Sequence, residues 1–202
     1  MHKALSLHLN REKQRKIYQK LTQKYADNHK SLHWSSEEVQ FKRYEILIKD
    51  EVVTQNKSLL DIGCGKGDVL HYLDMLAYCG AYTGLDLVDE LLELAKNKFS
   101  NQAHFSNKDF LSKEFNSKYD VIIASGLFAF GNQALFENII RKAYLLCNDY
   151  VAFNLFDAIN TNHFFSIKHN DVMKFLKCLE VKRIETKSGY LKGDRTYFLY
   201  KL

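Results

Sequence analysis

The sequence predicts an α/β fold in which a mostly parallel sheet carries helices on both faces. Three observations predict it. From Ser58 onward, short apolar runs alternate with amphipathic helical patterns, and such alternation implies right-handed crossovers that cover both sides of a parallel sheet. A glycine-rich turn, Gly63-Cys64-Gly65-Lys66-Gly67, directly follows the first of those runs. The chain has 202 residues, 46% hydrophobic and 26% charged, the composition of one globular domain. A chain of that length buries roughly 70% of its extended surface, enough for a full core without staples.

The elements follow in order. Residues 1–56 read as an N-terminal helical extension or lid and 57–202 as the core, together one domain over 1–202. In the first helix Leu9, Ile17, Leu21 and Tyr25 fall mostly four apart, an apolar stripe set against Lys and Arg elsewhere. The second begins at Ser35-Ser36-Glu37-Glu38, where Ser35 and Glu38 have capping-box spacing. Val39, Tyr44, Leu47 and Ile48 then face inward, and Gln40 and Arg43 lie one turn apart on another face. Strands are expected at 58–62, 81–86, 104–107, 119–125 and 150–156, and helices at 68–79, 89–99, 133–147 and 170–179. The last two runs, 180–186 and 196–200, follow one another without a helix, which predicts an antiparallel edge pair. With no proline in the chain, turns must rely on Gly, Asn, Asp and Ser.

Composition narrows the function classes. Cys64, Cys79, Cys147 and Cys178 are separated by 15, 68 and 31 residues, spacings that fit no zinc or redox motif. A reduced, cytoplasmic protein is the plain expectation, with no metal. No signal-like N-terminus and no run of about 18 apolar residues is present, so no membrane role is expected. Residues 1–30 carry eight Lys or Arg against Glu12 and Asp27, a net +6 that leaves −1 for the remainder of a chain totalling +5. A basic segment of this kind meets nucleic acid, anionic lipid or an acidic partner, or is simply a solvated helix face.

The strand ends carry the chemistry. Gly63, Gly65 and Gly67 let the backbone approach a ligand where the first strand ends, and Asp61 sits there as an acceptor beside any positively charged group. Cys64 offers its backbone. The spacing is Gly-x-Gly-x-Gly, not the Gly-x-Gly-x-x-Gly that cradles a pyrophosphate, and no strong phosphate partner is near. That disfavours NAD. Asp86 ends the second strand nineteen residues after Gly67; it can accept from both hydroxyls of a ribose while Leu87 packs on a base, or it can cap the helix beginning near Val88. After the third strand, Asp109 can accept from an adenine amine with Phe110 stacking on the ring, or be a turn residue beside a core Phe.

With Tyr119 to Gly126 as a fourth strand end, these motifs resemble, in order and spacing, the class I S-adenosylmethionine-dependent methyltransferase family over roughly residues 34–202. More narrowly, the chain is similar to a bacterial group of small methyltransferases of uncertain substrate, with a Trp and a Gln-x-x-Arg element before the glycine turn. Trp34, Gln40 and Arg43 match that element; Ala124-Ser125-Gly126-Leu127-Phe128, Ala152-Phe153-Asn154 and Tyr190-Leu191 match others. The resemblance implies a Rossmann-like sheet of seven strands, the last antiparallel. It implies S-adenosylmethionine as cofactor and S-adenosylhomocysteine as product. Asp61 and the glycines would hold the methionine end, Asp86 the ribose, Asp109 the adenine, with Ser125 also on the cofactor side. Arg43 would pair with the cofactor carboxylate or form a surface salt bridge; Trp34 would be a lid or a core aromatic. The chain departs from the group's pattern at Phe128-Ala129-Phe130-Gly131-Asn132, where Asn usually comes sooner, and near Tyr190-Leu191, where a proline is missing.

The acceptor wall is expected from the N-terminal helices and the segments after the fourth and fifth strands: Phe128, Asn154, His163, Phe164, His169 and Tyr190. His163 and Asn154 are the candidates for a catalytic role, and a general base is required only if the acceptor must lose a proton. The expected partner is a small-molecule methyl acceptor. A nucleic-acid methyltransferase is the rival enzyme, although residues 125–128 read Ser-Gly-Leu-Phe and not the Asn/Asp-Pro-Pro-Tyr/Phe element that grips a flipped base. A cofactor-binding regulator or inactive partner subunit is the alternative outside enzymes.

Overall fold

The structure is a computed structural model that describes residues 2–99, 101–157 and 164–201, with the side chains of the first helix from Arg11 onward. The expectation for Leu9 therefore lies outside the described side chains, and His163 lies outside the described residues. The order is α1 (His2–Tyr25), a 3-10 turn (His29–Leu32), α2 (Glu37–Leu47), α3 (Asp50–Thr54), β1 (Leu59–Ile62), α4 (Asp68–Met75), β2 (Tyr82–Leu85) and α5 (Asp89–Phe99). There follow β3 (Ala103–Ser106), β4 (Tyr119–Ala124), α6 (Gln133–Leu146), β5 (Cys147–Phe156), α7 (His169–Lys177), β6 (Arg183–Ser188) and β7 (Asp194–Tyr200).

Seven strands form one sheet in the order β3-β2-β1-β4-β5-β7-β6. Strands β1 to β5 run parallel, and β7 is antiparallel to both β5 and β6. This is the expected Rossmann-like sheet, with one refinement: β7 inserts between β5 and β6, so the edge strand is β6. Burial explains the order, because β7 is buried at six of seven positions and β6 at none.

Helices cover both faces, as the alternation predicts. Side chains alternate along each central strand: Leu59, Val121 and Ile123 join the core under α2, α4 and α5, whereas Leu60, Ile122 and Ala124 join the core under α6 and α7. The chain winds from β1 to one side and then returns to β4 on the other. The order therefore reverses between β1 and β4, and the crevice outside the carboxyl ends at such a point is where ligands bind.

Several local expectations are corrected. Ser36, not Ser35, caps α2, its hydroxyl accepting from the Val39 N–H at 3.2 Å. Gln40 and Arg43 are buried together with Tyr44, Leu47 and Ile48, because α2 is packed on the sheet over more than its apolar stripe. In α1 the buried positions are Gln14 and Thr22, while Ile17, Leu21 and Tyr25 are only partly covered. Arg11 turns inward to Asp109 and Gln14 to the Leu127 carbonyl, so polar side chains of α1 face the strand ends. Helix α4 ends at Met75, four residues before the expected end, where Ala77 takes a left-handed backbone with φ 57°. The short α3 is unforeseen. Strand β6 starts three residues later than expected because Glu180 is left-handed, φ 53°, and turns the chain first.

Among the described residues, no helix is long and apolar enough to cross a membrane, and no group of three or more His, Cys, Asp or Glu is placed to hold a metal ion.

Candidate active site

A pocket opens at the carboxyl ends of β1, β2, β3 and β4. Asp61, Gly63 and Cys64 line it from β1, Asp86 and Leu87 from β2, Asp109 and Phe110 from β3, and Ser125 and Gly126 from β4. The fourth side is α1, which contributes Arg11, Gln14, Arg15 and Tyr18, with Trp34 beyond it.

The glycine turn is shaped for close approach. Gly63 has φ +78°, and a Cβ there would stand 2.7 Å from the Leu127 side chain; Gly65 has φ +55°, and its Cβ would meet Leu32 at 2.8 Å. Gly65 and Gly67 do not reach the pocket wall: Gly67 precedes α4 and packs on Phe99. Gly65 instead donates its N–H to an Asp86 oxygen at 2.9 Å, and the second Asp86 oxygen accepts from Val88 N–H at 2.9 Å. Asp86 therefore fastens the end of β2 to the glycine turn and caps the following segment.

Asp61 is 1% exposed. One carboxylate oxygen accepts from the Tyr82 hydroxyl at 2.7 Å. The other has no hydrogen-bond partner among the described residues, and the Ser125 hydroxyl also lacks one. Burial pushes the Asp61 carboxyl from 3.8 up to about 7, against the Tyr82 hydrogen bond, with Asp86 and Asp68 adding to the rise. Burial likewise raises Asp86, opposed by its backbone N–H partners. A buried carboxylate with a free acceptor lacks the cation or donor that would stabilise it. Burial also pushes the Cys64 thiol well up, which leaves it unreactive.

Asp109 is already engaged. Arg11 of α1 approaches its two oxygens at 2.7 Å and 2.6 Å, and Leu111 N–H donates to it at 2.7 Å. Phe110 is buried, packed at a tilt against Phe115 with 5.4 Å between ring centres, and also reaches the pocket. Trp34 covers Gly126, its ring 3.3 Å from where a Cβ would stand.

Arg43 does not face the pocket. Its guanidinium lies 4.5 Å over the Trp34 ring and 5.3 Å from the Phe156 ring, and its Nε donates to Asp194 in a buried ion pair. The surface salt bridge is thus corrected to an interior one. Asn154 joins the same set: its amide donates to Asp194 at 3.3 Å, and its carbonyl accepts from Gly126 N–H at 2.8 Å. Arg43, Asn154 and Phe128 line a second, smaller cavity that meets the first at Gly126. Phe128 itself is 2% exposed and stacks edge-on with Phe136 and Phe153 in the core. Phe164 packs on Phe130, His33 and Phe156 behind Tyr18.

Phe164 and two further expected acceptor residues, His169 and Tyr190, lie on neither cavity. His169 begins α7 with Nδ1 3.1 Å from the Tyr197 hydroxyl and its ring stacked on that tyrosine. Tyr190 hydrogen-bonds Thr196 at 2.7 Å, beside Asp194. Arg11, Gln14, Tyr18 and Asp194 were not singled out from sequence. The first three stand at i, i+3 and i+7, so a polar stripe at helical spacing was their available signal; Asp194 had none.

A parallel sheet that reverses beside a glycine turn and closes with antiparallel strands gives this chain the class I S-adenosylmethionine-dependent methyltransferase fold. A family model described as a methyltransferase domain matches residues 59–149. A Mycobacterium tuberculosis protein provisionally named methyltransferase Rv1506c is 36% identical over 72 residues, 35% of this chain and 42% of its own length. Another from Invertebrate iridescent virus 6, provisionally named methyltransferase 235L, is 29% identical over 72 residues, 36% of this chain and 27% of its own. The matched stretch thus spans less than half of either relative. The structure of magnesium protoporphyrin IX methyltransferase from Synechocystis PCC 6803 with bound S-adenosylhomocysteine aligns over 99% of both chains, TM-score 0.65, at 15% identity, a likeness of fold.

Proposed function

We propose that this protein transfers a methyl group from S-adenosylmethionine to a small-molecule acceptor by in-line displacement. The observation that carries the cofactor reading is the unpartnered, buried oxygen of Asp61 at the end of β1. The pocket around it fits the donor: Asp61 would hold the α-ammonium, Asp86 the ribose hydroxyls, and Asp109 the adenine amine as Arg11 shares or yields its place. Phe110 and Leu87 would flank the base. When bound, the cofactor supplies an activated electrophilic methyl group.

The chain's own residues then have two tasks. Gly126 and Trp34 shape the side of the pocket nearest the smaller cavity, where an acceptor can be aligned, and orientation of this kind reaches effective molarities of about 10⁵ to 10⁸ M. Helix α1 excludes water from the crevice. Asn154 orients the Gly126 backbone through its carbonyl, which places it as a positioning group. The acceptor being a small molecule is supported by the enclosure of the pocket under α1 and Trp34, and by the porphyrin substrate of the Synechocystis protein of like fold.

A second reading, methylation of nucleic acid, is favoured by Lys13, Lys16, Lys20 and Lys24, all exposed at helical spacing on α1. Calorimetry with S-adenosylhomocysteine followed by transfer of labelled methyl to metabolite and RNA fractions tests both. Label in the metabolite fraction, insensitive to salt, is expected. Transfer to RNA that falls steeply with salt would favour the second reading, and cofactor binding with transfer to no fraction would make the protein a non-catalytic binder.

A further inference from the structure

Lys66 lies inside the glycine turn, yet it is only 7% exposed. Its ammonium donates to the Asp27 carbonyl at 3.1 Å, and stands 2.9 Å from the Asp27 carboxylate and 3.0 Å from that of Asp68. An ammonium has three donors, so the set is full. Burial alone would discourage the charge, and the carboxylates of Asp68 and Asp27 outweigh it, raising the ammonium's pKa. The far oxygen of Asp68 is taken by the Gln40 amide at 2.7 Å.

Asp27 is the second residue beyond α1, reached through Ala26 with a left-handed φ of 46°. Leu32 of the 3-10 turn fills the space over Gly65. The turn that lines the pocket through Gly63 and Cys64 therefore also carries the foot of α1. At the other end Arg11 reaches Asp109, and between them Gln14 donates to the Leu127 carbonyl at 3.2 Å and Gln19 approaches Glu90 at 3.3 Å. These are polar attachments, and they run along the described side chains of α1 beside the ring contact of Tyr18 with Phe130.

The two sides of the Lys66 anchor differ. The Asp68 side chain is 8% exposed and the Asp27 side chain 62%. The joint can part at Asp27 without stranding a buried charge, because Lys66 and Asp68 stay paired. Such an anchor is firm on the turn and releasable on the helix.

We propose that Lys66 is a positioning residue that seats the foot of α1 on the glycine turn, so that α1 closes over the bound cofactor and slows its release. The proposal rests on the pocket being the cofactor site. The test uses the full chain with Lys66→Met and the milder Asp27→Ala. Amide hydrogen exchange across residues 11–25 is measured without ligand, and release of S-adenosylhomocysteine is followed by the fluorescence of Trp34, the chain's one tryptophan. Both variants are expected to speed exchange in α1 and ligand release by roughly tenfold, with exchange in β1 and β4 unchanged. Equal acceleration in the sheet would mean a merely structural role and overturn the proposal. Unchanged exchange in α1 would overturn the anchor, and a loosened α1 with unchanged release would overturn its control of the cofactor. Absence of S-adenosylhomocysteine binding by the unaltered protein would remove the cofactor reading itself, while the exchange measurement still decides whether Lys66 holds α1.

Discussion

Asp61 combines two properties that make it measurable: one oxygen without a partner and a carboxyl raised from 3.8 to about 7 by burial. A ligand ammonium pairs only with the ionised form. Affinity for S-adenosylhomocysteine is therefore expected to weaken about tenfold per pH unit below pH 7 and to level off above it. Calorimetry across that range checks the slope, and Asp61→Asn should flatten it. Stability runs in the opposite sense. The native carboxyl holds its proton more tightly than the unfolded one, so its contribution is fully present below about pH 4 and is lost as pH rises to about 7. Asp61→Asn should accordingly raise the urea midpoint of the ligand-free protein near neutral and alkaline pH, with little effect at acid pH. For Asp86 the two backbone N–H groups it accepts from decide the outcome. Asp86→Ala leaves both without that partner, at about 1–3 kcal/mol for each that stays buried, so cofactor affinity and melting temperature should fall together; a variant that loses only affinity would show that water replaces the carboxylate.

At the scale of elements, the joint between α2 and the β5–β7 pair depends on a buried ion pair. Arg43 and Asp194 lie 151 residues apart in sequence, and Asp194 is 3% exposed. Removing one partner of such a pair costs about 3–5 kcal/mol, because the other charge is left buried and unpaired. Arg43→Met should lower stability by that order in urea unfolding, and adding Asp194→Asn should recover a substantial part. If the single variant is as stable as the parent, the pair contributes nothing to the joint. Helix α1 shows why element orientation was the harder problem. Its apolar residues at spacings of four pointed to a conventional buried stripe, but the pocket beneath it is lined by Asp61, Asp86 and Asp109, and Arg11 turns inward to pair with Asp109.

For the whole molecule, the two-layered core predicts a clean division of the four thiols. Cys64 and Cys147 are buried, the latter pushed up to about 11 chiefly by burial, while Cys79 and Cys178 are exposed. A thiol reagent should label two cysteines rapidly in the native protein and the other two only on unfolding; rapid labelling of all four would mean that the sheet opens readily both beyond β1, where Cys64 lies, and at the start of β5, where Cys147 lies. The same architecture accounts for what was legible beforehand. Strand and helix alternation, the glycine turn and the acidic strand ends are all local patterns, set by periods of two and 3.6 residues and by turn sterics. The sequence by itself therefore determined the α/β class, the seven-stranded sheet through the resemblance its motifs carry, and the residues Asp61, Gly63, Asp86, Asp109 and Ser125 that meet around one pocket. Tertiary structure alone decided that Arg11 occupies Asp109, that Arg43 turns inward to Asp194 and that Lys66 grips Asp27. Each of these pairings joins separate elements, and a charge finds its partner by the packing of those elements, which no local spacing encodes.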